Sequence, residues 1–377
     1  MKKIVFGMFL LVALSQMVHA DSWFEKMKFK GDFRYRDQNE WFQYDDTSMG
    51  NDFIDNYRER QRLRLRFGFE MPVNDKIKMN VRLATSGSMR SANQTMGDTP
   101  QAPFAQRAIV IDQMNLAYQP WSDELTLLVG KYSAPFWQIS ELAWSSSIAF
   151  EGIAAQYKTK LTDTVSVFVN LGQSQLAEIN RDDYDAPDPF LNWWQPGVRW
   201  DLTPELTMTG AIANWNFLYI EDNARYMTNS RWNTTTNATA QLEHGFNVSN
   251  PQLMATYRLD PAFAVSVFQD TIINAGTDKG GYGDLKGITI GSPKVATAND
   301  WQLTYSYRRL GSDAFPDIFP EADAYFGYTD IEGQKWSGSY GIAENVVFTM
   351  SSFTMDRIDR AFHNPQNVLQ YDLNVKF

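Results

Sequence analysis

Residues 58–70 read RERQRLRLRFGFE, and two kinds of side chain take alternate positions in this stretch. Leucine or phenylalanine occupies the odd positions from Leu63 to Phe69, whereas arginine occupies the even positions from Arg58 to Arg66. Successive side chains of a β-strand point to opposite faces, so this period of two predicts a strand with one apolar and one basic face. Such a strand is typical of a wall between lipid and a water-filled lumen.

The same alternation precedes this stretch and continues to the end of the chain. Residues 26–37 (KMKFKGDFRYRD) and residues 76–83 (KIKMNVRL) both alternate apolar with charged or polar side chains. Later segments with a period of two are residues 165–170, 253–259, 301–308 and 367–377. After residue 20, no window approaches the ~18 apolar residues that a spanning helix needs. Any membrane-spanning parts of the mature chain are therefore expected to be strands.

The connections between these segments alternate in length. Short turns are predicted at Val73–Asp75, Trp121–Asp123, Thr162–Asp163, Thr203–Glu205, Asp260–Pro261 and Ala343–Glu344. Long polar stretches are predicted at Gln38–Tyr57, Ser86–Gln106, Tyr132–Ser147, Gln173–Phe190, Phe217–Asn250 and Asn274–Asn299. Short turns at one end and long loops at the other are typical of outer-membrane barrels, whose short turns are periplasmic.

The predicted fold is therefore all-β, a closed antiparallel transmembrane β-barrel in which the first strand pairs with the last. We expect about 16 strands, with about 14 or 18 as alternatives, because barrels of this type have an even number. The strand count depends on how Gly311–Gln334 is assigned, because two phenylalanine–proline pairs interrupt the alternation there. A soluble β-sandwich or lectin is the competing interpretation. It is disfavoured because the apolar faces exceed one compact core and five arginines share one strand face.

The N-terminal residues and the composition predict the compartment. Lys2 and Lys3 precede the apolar segment Ile4–Leu14, and Val18–Ala20 fits a signal-peptidase site, so residues 1–20 are predicted to be a cleaved signal peptide. Residues 21–377 would then form the barrel. The chain has no cysteine and a net charge of −10, which excludes disulfides and argues against a nucleic-acid partner. A polar mean hydropathy of −0.40 with 14% aromatic residues fits a barrel whose rings mark the two membrane interfaces.

The chain resembles the "putative porin" family of Gram-negative outer membranes. The resemblance rests on FKGDFRYR (29–36), RQRLRLRFGFE (60–70), LLVGKYSAPFW (127–137) and DAFPDIFPEADAYFGYTDIEG (313–333). It implies an outer-membrane barrel that contacts lipid and lipopolysaccharide and contains a pore for small hydrophilic solutes. The terminal Phe377, with Tyr371, looks like the signal that the barrel-assembly machinery recognises. A homotrimer is an assembly that the resemblance allows, since general porins associate in this way.

The basic wall is the first candidate functional site. The residues predicted to line the pore are Arg34, Arg36, Arg60, Arg62, Arg64, Arg66, Lys78 and Arg82. Adjacent strands lie about 4.8 Å apart, so these side chains would form a compact cationic ladder. Guanidinium groups bind carboxylates in a fork, so the ladder would favour anionic solutes. The alternative interpretation is that the arginines pair with loop carboxylates and stiffen the barrel, and both roles can coexist.

The segment Lys131–Phe150 is the candidate constriction. It follows a predicted strand and contains Phe136, Trp137 and Glu141, which suits a loop folded into the lumen. Glu141 and Glu151 would then oppose the arginines across the pore. An ordinary extracellular loop with an interface tryptophan is the competing interpretation. The tryptophans predicted for the interface girdles are Trp121, Trp193, Trp194, Trp200 and Trp336, and sugar stacking is the alternative for them.

No residue pattern predicts catalysis, a cofactor or a metal. After residue 20 the chain has two histidines, His244 and His363, and no Gly-x-Ser-x-Gly motif that would mark a lipase-type nucleophile. The acidic loop clusters lack the spacing of a calcium loop. The predicted function is thus passive diffusion of small hydrophilic solutes, leaning towards anions, and not an enzyme. A structural or adhesin-type barrel without an open pore is the main alternative, and an outer-membrane lipase or protease is a weaker one.

Overall fold

The computed structural model describes residues 26–46, 52–86, 91–179, 187–221, 233–236, 241–358 and 365–377. The predicted signal peptide lies outside these residues. The strands of the described chain are β1 (Lys28–Asp46), β2 (Asp52–Pro72), β3 (Ile77–Thr85), β4 (Gln94–Thr95), β5 (Ile109–Tyr118), β6 (Leu125–Ser133), β7 (Ala149–Lys160), β8 (Val165–Gln175), β9 (Phe190–Asp201), β10 (Leu206–Leu218), β11 (Asn247–Asp260), β12 (Phe263–Asn274), β13 (Tyr282–Gly291), β14 (Trp301–Leu310), β15 (Ile331–Ala343), β16 (Val346–Arg357) and β17 (Gln366–Lys376).

Sixteen of these strands form one closed antiparallel barrel; the short β4 lies outside the ring and pairs with β2, while β3 pairs directly with β5. The ring closes because β1 pairs with β2 on one side and with β17 on the other. Tyr35, for example, lies opposite both Leu63 and Leu373. The predicted closed barrel of sixteen strands is confirmed. The described residues contain no helix that is both long and apolar enough to span a membrane.

The two ends of the barrel differ in their connections. At the end where β1 begins and β17 finishes, the connections are short, such as residues 73–76, 161–164 and 344–345. We call this the turn end and the opposite end the loop end. Residues 292–300 form the longest connection at the turn end among those described.

Two predicted loops are wrong in extent. The stretch Gln38–Tyr57 is mostly strand, because β1 continues to Asp46 and β2 begins at Asp52. The adjacent aromatic residues Trp41 and Phe42 interrupt the period of two, which hid this extension. The stretch Asn274–Asn299 contains β13, whose glycines weaken the alternation. The predicted short turns all lie at the turn end.

The alternation of the early strands corresponds to the two faces of the barrel wall. The inward Arg36 is 5% exposed, whereas the outward Phe67 and Phe29 are 37% and 67% exposed. Trp121, Trp194, Trp200 and Trp336 are likewise exposed. Trp193 is not a girdle residue, because it is buried inside the barrel. Its ring centroid lies 5.5 Å from that of Phe136 and 6.0 Å from that of Trp215.

An apolar cluster fills part of the barrel interior. Two loops from the loop end fold inward to form it: the first inner loop, residues 134–148, and the second inner loop, residues 311–330. Trp144 of the first loop packs edge-to-face on Phe315 of the second, with ring centroids 5.0 Å apart, and contacts Trp215 on the barrel wall at 5.3 Å. Phe319 completes the contact, 4.7 Å from Trp144. The irregular stretch Gly311–Gln334 is therefore mainly an inward loop that ends where β15 begins.

Candidate functional site: the arginine wall and the inner loops

The register of β1 and β2 places like charges directly opposite each other. Arg34 is paired with Arg64, and Arg36 with Arg62. Like charges at facing positions of an antiparallel pair destabilise a sheet. The wall therefore needs carboxylates close to these guanidinium groups. Six guanidinium groups, on Arg34, Arg36, Arg60, Arg62, Arg64 and Arg66, lie near four carboxylates, on Asp32, Glu40, Asp323 and Asp372.

Towards the loop end the arginines are covered by protein. Arg36 donates two hydrogen bonds to Asp372 on β17, at 2.7 and 2.8 Å, and a third to Asp323 of the second inner loop at 2.7 Å. Arg60 forms an ion pair with Glu40. Arg62 donates to Gln38 at 3.3 Å and lies 4.0 Å from Asp323. Arg36 and Arg62, through Asp323, hold the second inner loop against the wall.

The covered region is imperfectly neutralised. Arg34 donates to the Asn93 side chain and lies 3.5 Å from Asp372, which is already bound by Arg36. The Nε atoms of Arg60 and Arg62 are buried and find no hydrogen-bond partner among the described residues. A buried donor without a partner costs about 1–3 kcal/mol, so these two Nε groups destabilise this part of the wall.

Nearer the turn end the arginines border open space. Arg64 and Arg66 share the single carboxylate of Asp32, at 2.7 and 2.8 Å. Arg82 on β3 forms an ion pair with Asp112 on β5. Lys78 lies 3.9 Å from Glu70 and is about half exposed. All eight predicted pore-lining residues thus share the inward face, but only some of them border a cavity.

Two cavities meet at Arg66. The one at the loop end has a volume of about 990 Å³ and is bordered by Arg64, Arg66 and Ala84 on one side and by Trp144 and Phe150 on the other. The one towards the turn end has a volume of about 490 Å³ and is bordered by Asp32, Arg66 and Arg82. Together they follow the inside of β1, β2, β3 and β5, which is the candidate solute pathway.

The first inner loop forms the wall opposite the arginines, although not through the predicted carboxylates. Phe136 is buried in the apolar cluster. The backbone of Trp137 exchanges two hydrogen bonds with the Gln195 side chain of β9, at 2.8 and 2.7 Å. A predicted aromatic loop segment is therefore fixed inside the barrel by both packing and hydrogen bonds.

Glu141 and Glu151 do not face the arginines, so this part of the prediction is wrong. The Glu141 carboxylate accepts a hydrogen bond from the Ser146 backbone within its own loop, at 2.6 Å. Burial, together with the neighbouring Glu321, raises its pKa. Glu151 lies on the outward face of β7 with Ile153, is paired with Lys131 at 2.6 Å, and has a 60% exposed side chain. Strand parity decides this outcome, because Phe150 takes the inward position next to it.

The second inner loop supplies the carboxylates that the sequence analysis missed. Glu321 binds Arg308 of β14 and Lys335 of β15. Burial alone would raise the pKa values of Glu321 and Asp323, but nearby cations outweigh it and lower both: Lys335 and Arg308 for Glu321, and Arg36 with Arg62 for Asp323. Both carboxylates therefore stay ionised. The only sign of these carboxylates in the sequence is the acidic residues within the aromatic, proline-containing stretch 313–333. Period-two alternation is interrupted there and does not predict where their side chains point.

The predicted assembly signal lies where the barrel closes. Phe377 exchanges backbone hydrogen bonds with Gly31 of β1, at 2.8 and 3.0 Å, and its side chain is 65% exposed. Tyr371 is stacked on Phe348 of β16, with ring centroids 6.5 Å apart. His363 lies outside the described residues. Within the described part of the chain, no group of three or more histidine, aspartate or glutamate side chains is placed to hold a metal ion.

Comparison with known proteins assigns this arrangement to a class. The chain is similar in structure to the outer-membrane channel DcaP of Acinetobacter baumannii, with a TM-score of 0.50 and 10% identity over 93% of this chain and 97% of that one. It is also similar to a mutant of Rhodopseudomonas blastica porin (TM-score 0.47, 12% identity, 93% and 100% covered) and to a loop-deletion mutant of Vibrio cholerae OmpT (0.45, 12%, 92% and 99%). At these identities the likeness shows the fold alone. No curated protein matches the chain.

The fold defines an outer-membrane-type β-barrel of the porin class. The family model described as "Putative porin" matches residues 51–255 and 235–377, so the chain belongs to the putative porin family. The predicted family is confirmed. Family and fold together point to a channel protein of the outer membrane that contacts lipid, and away from an enzyme.

Proposed function

We propose that this protein is a passive diffusion channel for small hydrophilic solutes with a preference for anions. The observation that carries the proposal is the position of Arg64 and Arg66. They border the open pathway and share one carboxylate, so the part of the lumen where the two cavities meet has an excess of positive charge. Fixed charges on a lumen wall select ions of the opposite sign.

The solute pathway lies in the arginine half of the barrel, because the aromatic cluster fills the interior of the other half. Arg36 and Arg62 are expected to hold the second inner loop, whereas Arg64, Arg66 and Arg82 contact the solute. The two interpretations of the arginine ladder therefore apply to different members of it. A closed barrel without a pore is the competing function, favoured by the volume that the two inner loops fill.

Reversal potentials in a salt gradient across planar bilayers test the proposal. We expect the wild type to form channels with a chloride permeability above that of potassium. The double variant Arg64→Gln and Arg66→Gln should lower the chloride-to-potassium ratio roughly sevenfold, because each of the two unit charges, about 7 Å from a chloride ion, changes the energy of that ion by about 0.6 kcal/mol in water, or about 1.2 kcal/mol together. The matched control is Arg309→Gln, which removes an outward arginine paired with Glu332.

Two outcomes would contradict the proposal. Absence of conductance in correctly folded wild type would favour the closed barrel. An unchanged permeability ratio in the double variant would exclude Arg64 and Arg66 as the selective groups.

The remaining partners also belong to this proposal. Cleavage after Ala20, recognition of Tyr371 and Phe377 by the barrel-assembly machinery, contact with lipopolysaccharide and a homotrimer are expected for an exported porin. Deleting Phe377 should reduce the folded, heat-modifiable fraction in outer-membrane preparations. Deleting the tip residue Phe104, which is fully exposed, serves as the control.

A further inference from the structure

The barrel wall is incomplete between β5 and β6. Their ladder contains five residue pairs, from Tyr118 opposite Leu127 to Met114 opposite Lys131. Beyond this point β5 stays paired with β3 as far as Ile109, and β6 stays paired with β7 as far as Ser133. Within the fully described stretch 91–179, residues 109–113 of β5 therefore have no ladder partner on β6.

The gap opens at a defined position. Gly130 has a φ of 113°, and a Cβ atom there would lie 2.4 Å from the Met114 carbonyl oxygen. This glycine allows β6 to bend where the ladder ends. Met114 lies four residues from Tyr118, the last residue of β5 at the turn end. With a rise of ~3.4 Å per residue and a strand tilt of ~40°, Met114 is about 10 Å above Tyr118 along the barrel axis.

That height lies within the apolar band, which is ~25 Å tall in barrels of this type. Unpaired backbone groups at membrane depth are tolerated only where they are buried in protein or line a cavity. The gap therefore lines a passage or is covered by another molecule.

The loop-end cavity passes through this gap. Its lumenal border includes Arg64 and Arg66, and its remaining border includes side chains from the outward face of the wall. These are Ile111 on β5, Val129 on β6 and Ile153 on β7, which are 55%, 49% and 57% exposed. One continuous space thus has a basic inner end and an apolar outer end.

Three of the other charges around the space are held in ion pairs. Lys131 and Glu151 at the outer rim are paired with each other, and Asp112 is paired with Arg82. Glu178 is exposed on the loop side. The surplus positive charge lies at the inner end, where Asp32 alone serves two guanidinium groups.

We infer that the gap between β5 and β6 is a lateral route for amphipathic monoanions with a single alkyl chain. The alkyl chain would lie against Ile111, Val129 and Ile153, and the anionic head would bind Arg64 and Arg66. This route is separate from axial diffusion, although it ends at the same arginines. A second copy of this chain is the competing occupant of the gap.

Uptake of radiolabelled dodecanoate tests the route in a Gram-negative host whose own outer-membrane route for it has been deleted. Expression of the wild type should raise the uptake rate. Ile111→Trp, which fills the gap from the outward face, should reduce that gain roughly tenfold, the loss expected when about 1.4 kcal/mol of access or binding is removed. The matched control Ile212→Trp changes an equally exposed outward isoleucine on β10 and should leave uptake unchanged.

A photoreactive dodecanoate gives a readout that does not depend on flux. In outer-membrane vesicles it should label peptides that contain residues 109–114, 129–131 or 149–153, and not the peptide around residue 212. Potassium chloride conductance of Ile111→Trp should match the wild type, which separates failure of the lateral route from failure of the axial channel. Equal labelling at both places, or equal uptake by the two tryptophan variants, would overturn the inference. So would a change in oligomeric state confined to Ile111→Trp, since it would assign the gap to a second copy.

Discussion

The two halves of the lumen wall accommodate their inward side chains in different ways. In the arginine half, formed by β1, β2, β3 and β5, facing guanidinium groups are held apart by bound carboxylates, and space remains beside them. In the aromatic half, rings from the wall and from both inner loops fill the interior, as at Trp144 and Trp215. Apolar surfaces inside a barrel are buried by packing together, whereas like charges repel and need solvent or counter-charge. The open pathway therefore follows the charged half.

The second inner loop is the element that joins the two halves. Its Phe315 and Phe319 pack into the aromatic cluster, and its Asp323 binds Arg36 on the opposite wall. The loop is thus held by dispersion on one side and by an ion pair on the other. Variants that remove one of these attachments separate their contributions.

The largest effect is expected from Trp144→Ala in the aromatic half. Trp144 is 2% exposed and its ring contacts Phe315, Phe319 and Trp215. Truncating such a buried ring costs about 3–5 kcal/mol of unfolding free energy and should loosen both inner loops. Urea unfolding in lipid vesicles would measure the stability, and single-channel conductance should rise. Trp194→Ala removes an exposed outward ring from β9 and should cost far less. Equal losses in the two variants would contradict the role of the cluster.

A smaller effect is expected from Asp323→Asn, which breaks the attachment to the arginine half. The Asp323 side chain is a quarter exposed, so losing its charged hydrogen bond to Arg36 should cost about 1–3 kcal/mol. Because the pKa of Asp323 is lowered from its ordinary value of 3.8, the stabilisation is present above that value and is lost only as the pH falls through the lowered pKa.

Conductance recordings of the Asp323→Asn variant at several pH values check both parts of this expectation. Wild-type conductance should stay constant from about pH 8 to 5, while the variant should show more closures or a larger current throughout this range. A variant indistinguishable from the wild type would mean that Asp372 alone holds Arg36.

The features that follow from local alternation could be predicted from the sequence. The strand around Leu63 and Arg64 and the short turns depend on period two and on turn residues, which are local properties. The closure between β1 and β17 is a long-range pairing, but it follows once the strands are assigned to a closed barrel. Loop interiors depend on contacts between residues far apart in the chain, such as the 287 positions between Arg36 and Asp323. No periodic signal reports such contacts, so the carboxylates of the second inner loop were not anticipated.

The same distinction explains which site residues were predicted correctly in position. The inward arginines follow from parity alone. The prediction for Glu151 fails because it depends on charge alone, whereas the position next to the inward Phe150 sets Glu151 on the outward face. The prediction for Trp193 fails in the same way, because its residue type indicates an interface whereas its strand parity places it inside the barrel.

Asp32→Asn should increase the anion preference of the arginine half, whereas loss of an arginine should decrease it. The change removes the one carboxylate shared by Arg64 and Arg66 and adds a net positive charge beside the pathway. We expect the chloride-to-potassium permeability ratio to rise about two- to threefold, since one unit charge about 7 Å away contributes about 0.6 kcal/mol in water. Reversal potentials measure the ratio, and Asp284→Asn on β13, which lies outside the pathway, is the control. A fall in the ratio would contradict the assignment.

The smallest predicted effect is the salt dependence of the permeability ratio. It distinguishes the arginines that border open space from those that are covered by protein. Charges that face water are screened over about 10 Å at 0.1 M salt and about 3 Å at 1 M, whereas buried pairs such as Arg36 with Asp372 are screened much less. If Arg64 and Arg66 set the anion preference, the permeability ratio of the wild type should therefore approach unity as the potassium chloride concentration rises from about 0.1 to 1 M. Over the same range the stability of the barrel against urea should change little, because the second inner loop depends on covered ion pairs and on the aromatic cluster. A salt-independent ratio would instead locate selectivity in the covered arginines, and the solute would then have to pass between the second inner loop and the wall.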